Sequence, residues 1–198
     1  MPSTYASCAA QLAGNIAKDC ASPIVGGYTG RAILIPKKDA IVTRSVANPR
    51  IITAITYDQK VKTCVVDNVW PNNPFDGSQT ASNGDNGRPT YDKTFGFRIP
   101  LRGAGTSKDI VEPLMDEPQG YIAIIEKRDA IGDGSFEVVG SLQGLKANVD
   151  GITRNENENG GDVSVVMSCK EDFFECTLFN TDYATSLTAF ETMIAASF

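Results

Sequence analysis

The chain has 198 residues, 41% of them apolar and 21% charged, and carries a net charge of −6. That length suits one domain, or one domain with arms, with a real core, and the composition excludes a disordered chain. The acidic balance argues against a surface that grips nucleic-acid phosphates, and the lack of any histidine removes Ser-His-Asp and Cys-His nucleophile systems and HExxH zinc sites.

The first expected helix is Thr4–Cys20, where Cys8, Leu12 and Ile16 recur at i, i+4 and i+8 behind a Ser3 or Thr4 cap. Ala21–Gly30 breaks it, so residues 1–30 read as an N-terminal helical arm. No charged stretch precedes an apolar core and no run reaches membrane-spanning length, which leads us to expect a protein made in a reducing cytoplasm. Residues 31–198 then read as a β-rich domain.

Short strands are expected at Ala32–Ile35, Ala40–Val46, Ile51–Tyr57 and Lys60–Val69, with Asp58–Gln59 as a tight hairpin connector between the last two. Residues 70–92, WPNNPFDGSQTASNGDNGRPTYD, read as one long loop rich in Pro, Gly and Asn. Its aromatics Trp70, Phe75 and Tyr91 are the candidate inter-subunit contacts. Its carboxylates Asp76, Asp85 and Asp92 have no calcium-loop spacing, and Asn-Gly turns explain the same residues.

Strand returns at Thr94–Leu101, followed by a short helix over Asp109–Met115 capped by Ser107 and cut short by Pro113. The loop GAGTSK at Gly103–Lys108 lacks the G-K-[ST] ending of a phosphate loop. Further strands are expected at Tyr121–Lys127, Phe136–Val139, Leu142–Ile152 and Val163–Ser168, the last with clean period-2 alternation. A polar connector, Arg154–Asp162, separates the last two, and an acidic turn is expected at Lys170–Asp172. Residues 185–196 form the last expected helix, with Leu187, Phe190 and Ile194 as its stripe and Ser186, or Thr188 with Glu191, at its start.

Five cysteines, odd in number and irregular in spacing, imply free thiols rather than a disulfide framework or a zinc site, although Cys169 and Cys176 flank a turn and could face one another. No carboxylate pair stands out for glycoside cleavage. The expectation is a non-enzymatic protein with no cofactor and no metal. Its expected fold is α+β and β-rich, an antiparallel β-sandwich or barrel with flanking helices.

The stretch Phe136-Glu137-Val138-Val139-Gly140, then Gly144-Leu145-Lys146, then a polar loop ending Gly160-Gly161, carries a resemblance. With the strand Asp162–Ser168 and the helix near Phe190–Ile194, residues 120–198 resemble bacteriophage virion proteins, in particular tail-tube-type proteins of phages infecting Bacteroides and relatives. The resemblance implies a virion protein that builds stacked rings of its own copies, hexameric in one such arrangement. It would contact other virion proteins and pass DNA through its channel as cargo, bind no membrane, and use the 70–92 loop and the arm between rings. An acidic channel lining would let phosphates pass. The alternative reading is a ligand- or carbohydrate-binding β-sandwich module using the 70–92 loop.

Overall fold

The structure, a computed structural model, describes residues 27–58, 63–67, 79–83, 89–99, 103–128, 132–154 and 163–196. Residues 1–26 of the expected arm, Trp70, Phe75, Asp76, Asp85 and residues 155–162 of the polar connector lie outside the described residues, while Tyr28–Gly30, expected at the end of the arm, open β1. The strands are β1 (Tyr28–Pro36), β2 (Ala40–Arg44), β3 (Ile51–Tyr57), β4 (Cys64–Asp67), β5 (Gln79–Asn83), β6 (Pro89–Ile99), β7 (Tyr121–Lys127), β8 (Phe136–Val139), β9 (Lys146–Arg154), β10 (Val163–Glu171) and β11 (Thr177–Leu178). The helices are α1 (Ala104–Thr106), α2 (Glu112–Asp116), joined to α1 by a π-type turn at Ser107–Val111, and α3 (Tyr183–Ala195).

Two sheets form: seven strands in the order β2-β3-β11-β8-β7-β1-β4, and four in the order β5-β6-β10-β9. The protein is thus α+β and strand-rich. The larger sheet is buried on both faces at its centre. Its central strands read as continuous apolar runs, AILI in β1 and YIAII in β7, because neither face meets water. Ala32, Leu34, Ala123, Ile125 and Val139 point toward the smaller sheet and share a core with its Phe95, Phe97, Ile99, Val163, Val165 and Met167. Ile33, Ile35, Ile122, Ile124, Phe136 and Val138 point the other way, onto Phe190 and Met193 of α3. Leu114 of α2 adds to the first core, and the Tyr121 hydroxyl donates to the Pro113 carbonyl at 2.8 Å.

Helix α3 begins where Asp182 accepts the Thr185 N–H at 2.7 Å, so the cap is Asp182 and Ser186 lies inside the first turn. Arg31 of β1 ties the helix down. Its guanidinium grips both Glu126 oxygens at 2.7 and 2.8 Å, reaches Glu191 of α3 at 2.8 Å, and lies 5.8 Å from the Phe190 ring centroid. Burial alone would raise the Glu126 carboxyl, but the Arg31 and Thr29 hydrogen bonds outweigh it and hold the carboxyl below its ordinary range.

Several sequence expectations are corrected. β4 pairs with β1 rather than with β3, so Asp58–Gln59 does not close a hairpin. β11 pairs with β3 in parallel, which makes the larger sheet mixed rather than wholly antiparallel. The expected loop 70–92 contains β5 and the start of β6, paired from Gln79↔Lys93 to Asn83↔Pro89, where Thr80, Thr90 and Tyr91 are strand-favouring residues among the turn formers. Ser107 sits within the helical segment rather than capping it. Cys169 and Cys176 do not face one another: the first lies in the core between the sheets and the second in the core beneath α3, and both are free.

The chain passes from one sheet to the other at Ser141–Leu145, not along a strand starting at Leu142. Tyr121 and Leu145 exchange backbone hydrogen bonds at 2.7 and 2.9 Å, leaving Leu145 fully buried at the corner. Backbone meets backbone here. Gly144, at φ 80°, would place a β-carbon 2.0 Å from the Gln119 carbonyl oxygen, and Gly140, at φ 82°, would place one 2.5 Å from that of Tyr121. Gly144→Ala combines a left-handed backbone with a main-chain clash and should cost about 2–4 kcal/mol. Urea denaturation should show a lowered midpoint with an unchanged slope; an unshifted midpoint would mean that the corner is not close-packed.

Candidate functional site

The candidate site is the end of the molecule where β2, β8 and β10 finish and β3, β6 and β11 begin. Its anchor is Arg44, the last residue of β2. One guanidinium nitrogen donates to the Ser141 hydroxyl at 2.7 Å, another donates to the Pro49 carbonyl at 2.7 Å and lies 3.6 Å from the Cys176 sulfur. The guanidinium also stands 5.6 Å from the Phe173 ring centroid. One cation thereby joins the β2–β3 turn, the Ser141 corner and the turn after β10.

Apolar side chains gather on this end. Val46 in the β2–β3 turn is fully exposed, Phe174 is 52% exposed, and Leu142 is 36% exposed. Phe174 meets Tyr91 edge-on, with centroids 5.6 Å apart and planes at 77°. Tyr91 therefore belongs to the site, although on a strand rather than a loop, whereas Trp70 and Phe75 lie outside the described residues. The sequence places Val46 at the end of the expected strand Ala40–Val46, Leu142 at the start of Leu142–Ile152 and Phe174 in alternation with Cys176 and Leu178; the structure puts all three in bends or turns instead, because apolar spacing does not show where pairing stops. Beside this end, Ile41 stands exposed on β2, an edge strand of the larger sheet.

Directly beneath the apolar end lies a buried polar row. The Ser141 hydroxyl donates to Glu171 Oε1 at 3.2 Å and the Leu142 N–H donates to the same oxygen at 3.3 Å. Glu171 Oε2 lies 3.2 Å from Lys93 Nζ, with the two side chains 0% and 1% exposed. Neither of those atoms makes a hydrogen bond of acceptable alignment despite the short separation. Lys93 is paired across the strands with Cys169, whose thiol is pushed up to about 12 by burial and by the Glu171 charge, so it stays protonated. The signal for Lys93 was present in the sequence. It takes the inward phase of Lys93-Phe95-Phe97-Ile99, and Glu171 takes that of Val163-Val165-Met167-Cys169, so each is a charge where the alternation demands an apolar residue.

At the far side of the larger sheet, Tyr28 donates to Glu137 at 2.9 Å and Lys127 bridges Glu137 and Glu175. Here one ammonium is shared between two carboxylates, and the Tyr28 hydroxyl supplies a further donor to Glu137. Among the described residues no group of three or more Cys, Asp or Glu is placed to hold a metal ion, and Asp92 faces Lys170 at 3.8 Å. No described helix is long and apolar enough to cross a membrane. The chain has no significant match among family models, curated proteins or solved structures.

If the apolar end is a contact surface, Val46→Asp should weaken self-association at least ~10-fold, which is about 1.4 kcal/mol. Thermal stability should stay within about 0.5 kcal/mol of the parent, because Val46 packs on nothing. Sedimentation velocity over a concentration series, with a melting curve alongside, separates the two effects; unchanged association would remove Val46 from the interface.

Proposed function

We propose that this chain is a non-enzymatic structural subunit of a phage virion, a tail-tube or ring protein that associates with its own copies around a channel for DNA. The observation that carries this reading is the clustering of Val46, Leu142 and Phe174 on one end of a frame clamped by Arg44. Apolar groups gathered at one end are what a subunit presents to a neighbour. The edge strand β2, with Ile41 exposed, offers a second surface of a different kind. Two dissimilar surfaces support head-to-tail association, which extends into rings or tubes. The net charge of −6 suits a wall past which phosphates slide. The residues that carry the sequence resemblance, Phe136–Gly140 and Gly144–Lys146, build β8 and the corner that supports this end.

One observation favours a ligand-binding module instead. A groove of about 610 Å³ runs between β3 and α3, lined by Thr53, Asn180, Thr185, Thr188 and Thr192 over an apolar floor that includes Ile55 and Met193. Two of its hydroxyls, Thr188 and Thr192, already donate to helix carbonyls at 2.9 and 2.7 Å, which weakens it as a polar recognition site. Negative-stain electron microscopy with mass photometry across a concentration series decides between the readings. Rings or tubes with a central channel are expected. A monomer at every concentration, retained on a glycan array through this groove, would overturn the structural reading.

A further inference from the structure

Lys93 and Glu171 are oddly placed for an ordinary ion pair. Both side chains end in the core between the sheets, on neighbouring strands, in the diagonal relation set by Lys93↔Cys169 and Tyr91↔Glu171. Their terminal atoms are 3.2 Å apart but unaligned for hydrogen bonding, while the other carboxyl oxygen receives two donors. A buried charge pair left without good hydrogen bonds is costly. The same arrangement is well suited to a reaction between the two groups.

We infer that Lys93 and Glu171 join in an intramolecular isopeptide bond, formed by the folded chain without a cofactor. Passing one proton across the 3.2 Å contact turns ammonium and carboxylate into amine and carboxylic acid, with no change in total charge and at reduced cost away from water. The Nζ lone pair then forms a bond to the Glu171 carboxyl carbon, and the bond from that carbon to Oε2 breaks. Oε2 leaves as water, carrying its own proton and one from Nζ. No atom is oxidised or reduced. Negative charge that develops on Oε1 during the attack is met by the Ser141 hydroxyl and the Leu142 N–H, the two donors already aimed at it. Arg44, which donates to the Ser141 oxygen at 2.7 Å, is a positioning residue that polarises that hydroxyl. Burial holds the nucleophile within reach of its target, so effective concentration substitutes for activation of the acid. The Cys169 thiol, kept protonated by burial, does not compete as a nucleophile. The product is a secondary amide that replaces two buried charges and covalently ties β6 to β10, just beneath the candidate contact surface.

The test is peptide mapping of the purified full chain by mass spectrometry. The expected result is a branched peptide containing both Lys93 and Glu171, lighter than the sum of its two linear parts by one water and absent from Lys93→Met. Ser141→Ala, which leaves both reacting groups in place, should form the branched peptide ~100-fold more slowly after refolding. Parent protein that yields only the two linear peptides, even after prolonged incubation in the folded state, would overturn the inference. A branched peptide formed equally fast in Ser141→Ala would overturn the role given to the Ser141 hydroxyl, leaving the Leu142 N–H as the donor that meets the charge on Oε1.

Discussion

A sheet that is apolar on both faces has to be covered twice, and the architecture follows from that requirement. In β1 and β7 every residue of the central runs is buried, so one cover alone would leave a row of isoleucines in water at about 1.5–3 kcal/mol each. The smaller sheet covers one face and α3 the other. The two covers are attached differently. The sheet is tied by the corner at Ser141–Leu145, where the backbone approaches too closely for any residue but glycine at positions 140 and 144. The helix is tied by Arg31, which reaches across from β1 to Glu126 and Glu191.

The polar and exposed features lie at one end of the β6–β10 strand pair. Between the sheets the core is apolar toward Ile99 and Val163 and becomes charged at Lys93 and Glu171. Beyond that end lie the turns that carry Val46, Leu142 and Phe174, collected by the Arg44 guanidinium. A contact surface made of turns is adaptable but weak unless its base is rigid. Arg44, Ser141 and the Lys93–Glu171 pair provide that base. On this account the interior chemistry and the surface role are one design, with stiffness below and stickiness above.

How much was legible in the sequence depended on whether a residue's role was local. β7 and β8 were readable to their final residues, since continuous apolar runs ended by Gly140 or a Gly-Asp-Gly turn leave little choice. The alternation of Val163, Val165 and Met167 located β10, but not its extension to Glu171, because a charge in the apolar phase looks like a strand end. Pairing was less legible. The β4–β1 and β11–β3 contacts depend on which surfaces remain uncovered after collapse, information that no window of sequence holds. Aromaticity singles Tyr91 out as a candidate inter-subunit contact, yet its ring contact within the chain, Phe174, comes from a turn more than eighty residues away. The Arg44 network has the same character: its members come from three separate segments, the β2–β3 turn, the Ser141 corner and the turn after β10.

The central claim is that the end bearing Val46, Leu142 and Phe174 is where copies of this chain meet. Hydrogen–deuterium exchange compared between a dilute and a concentrated sample addresses it most directly. Protection on concentration is predicted at residues 45–50, 141–144 and 172–176, with β7 and β8 slow in both samples because they are buried in either state. Protection confined instead to the outer face of the smaller sheet, or to the α3 groove, with those three turns unchanged, would contradict the account.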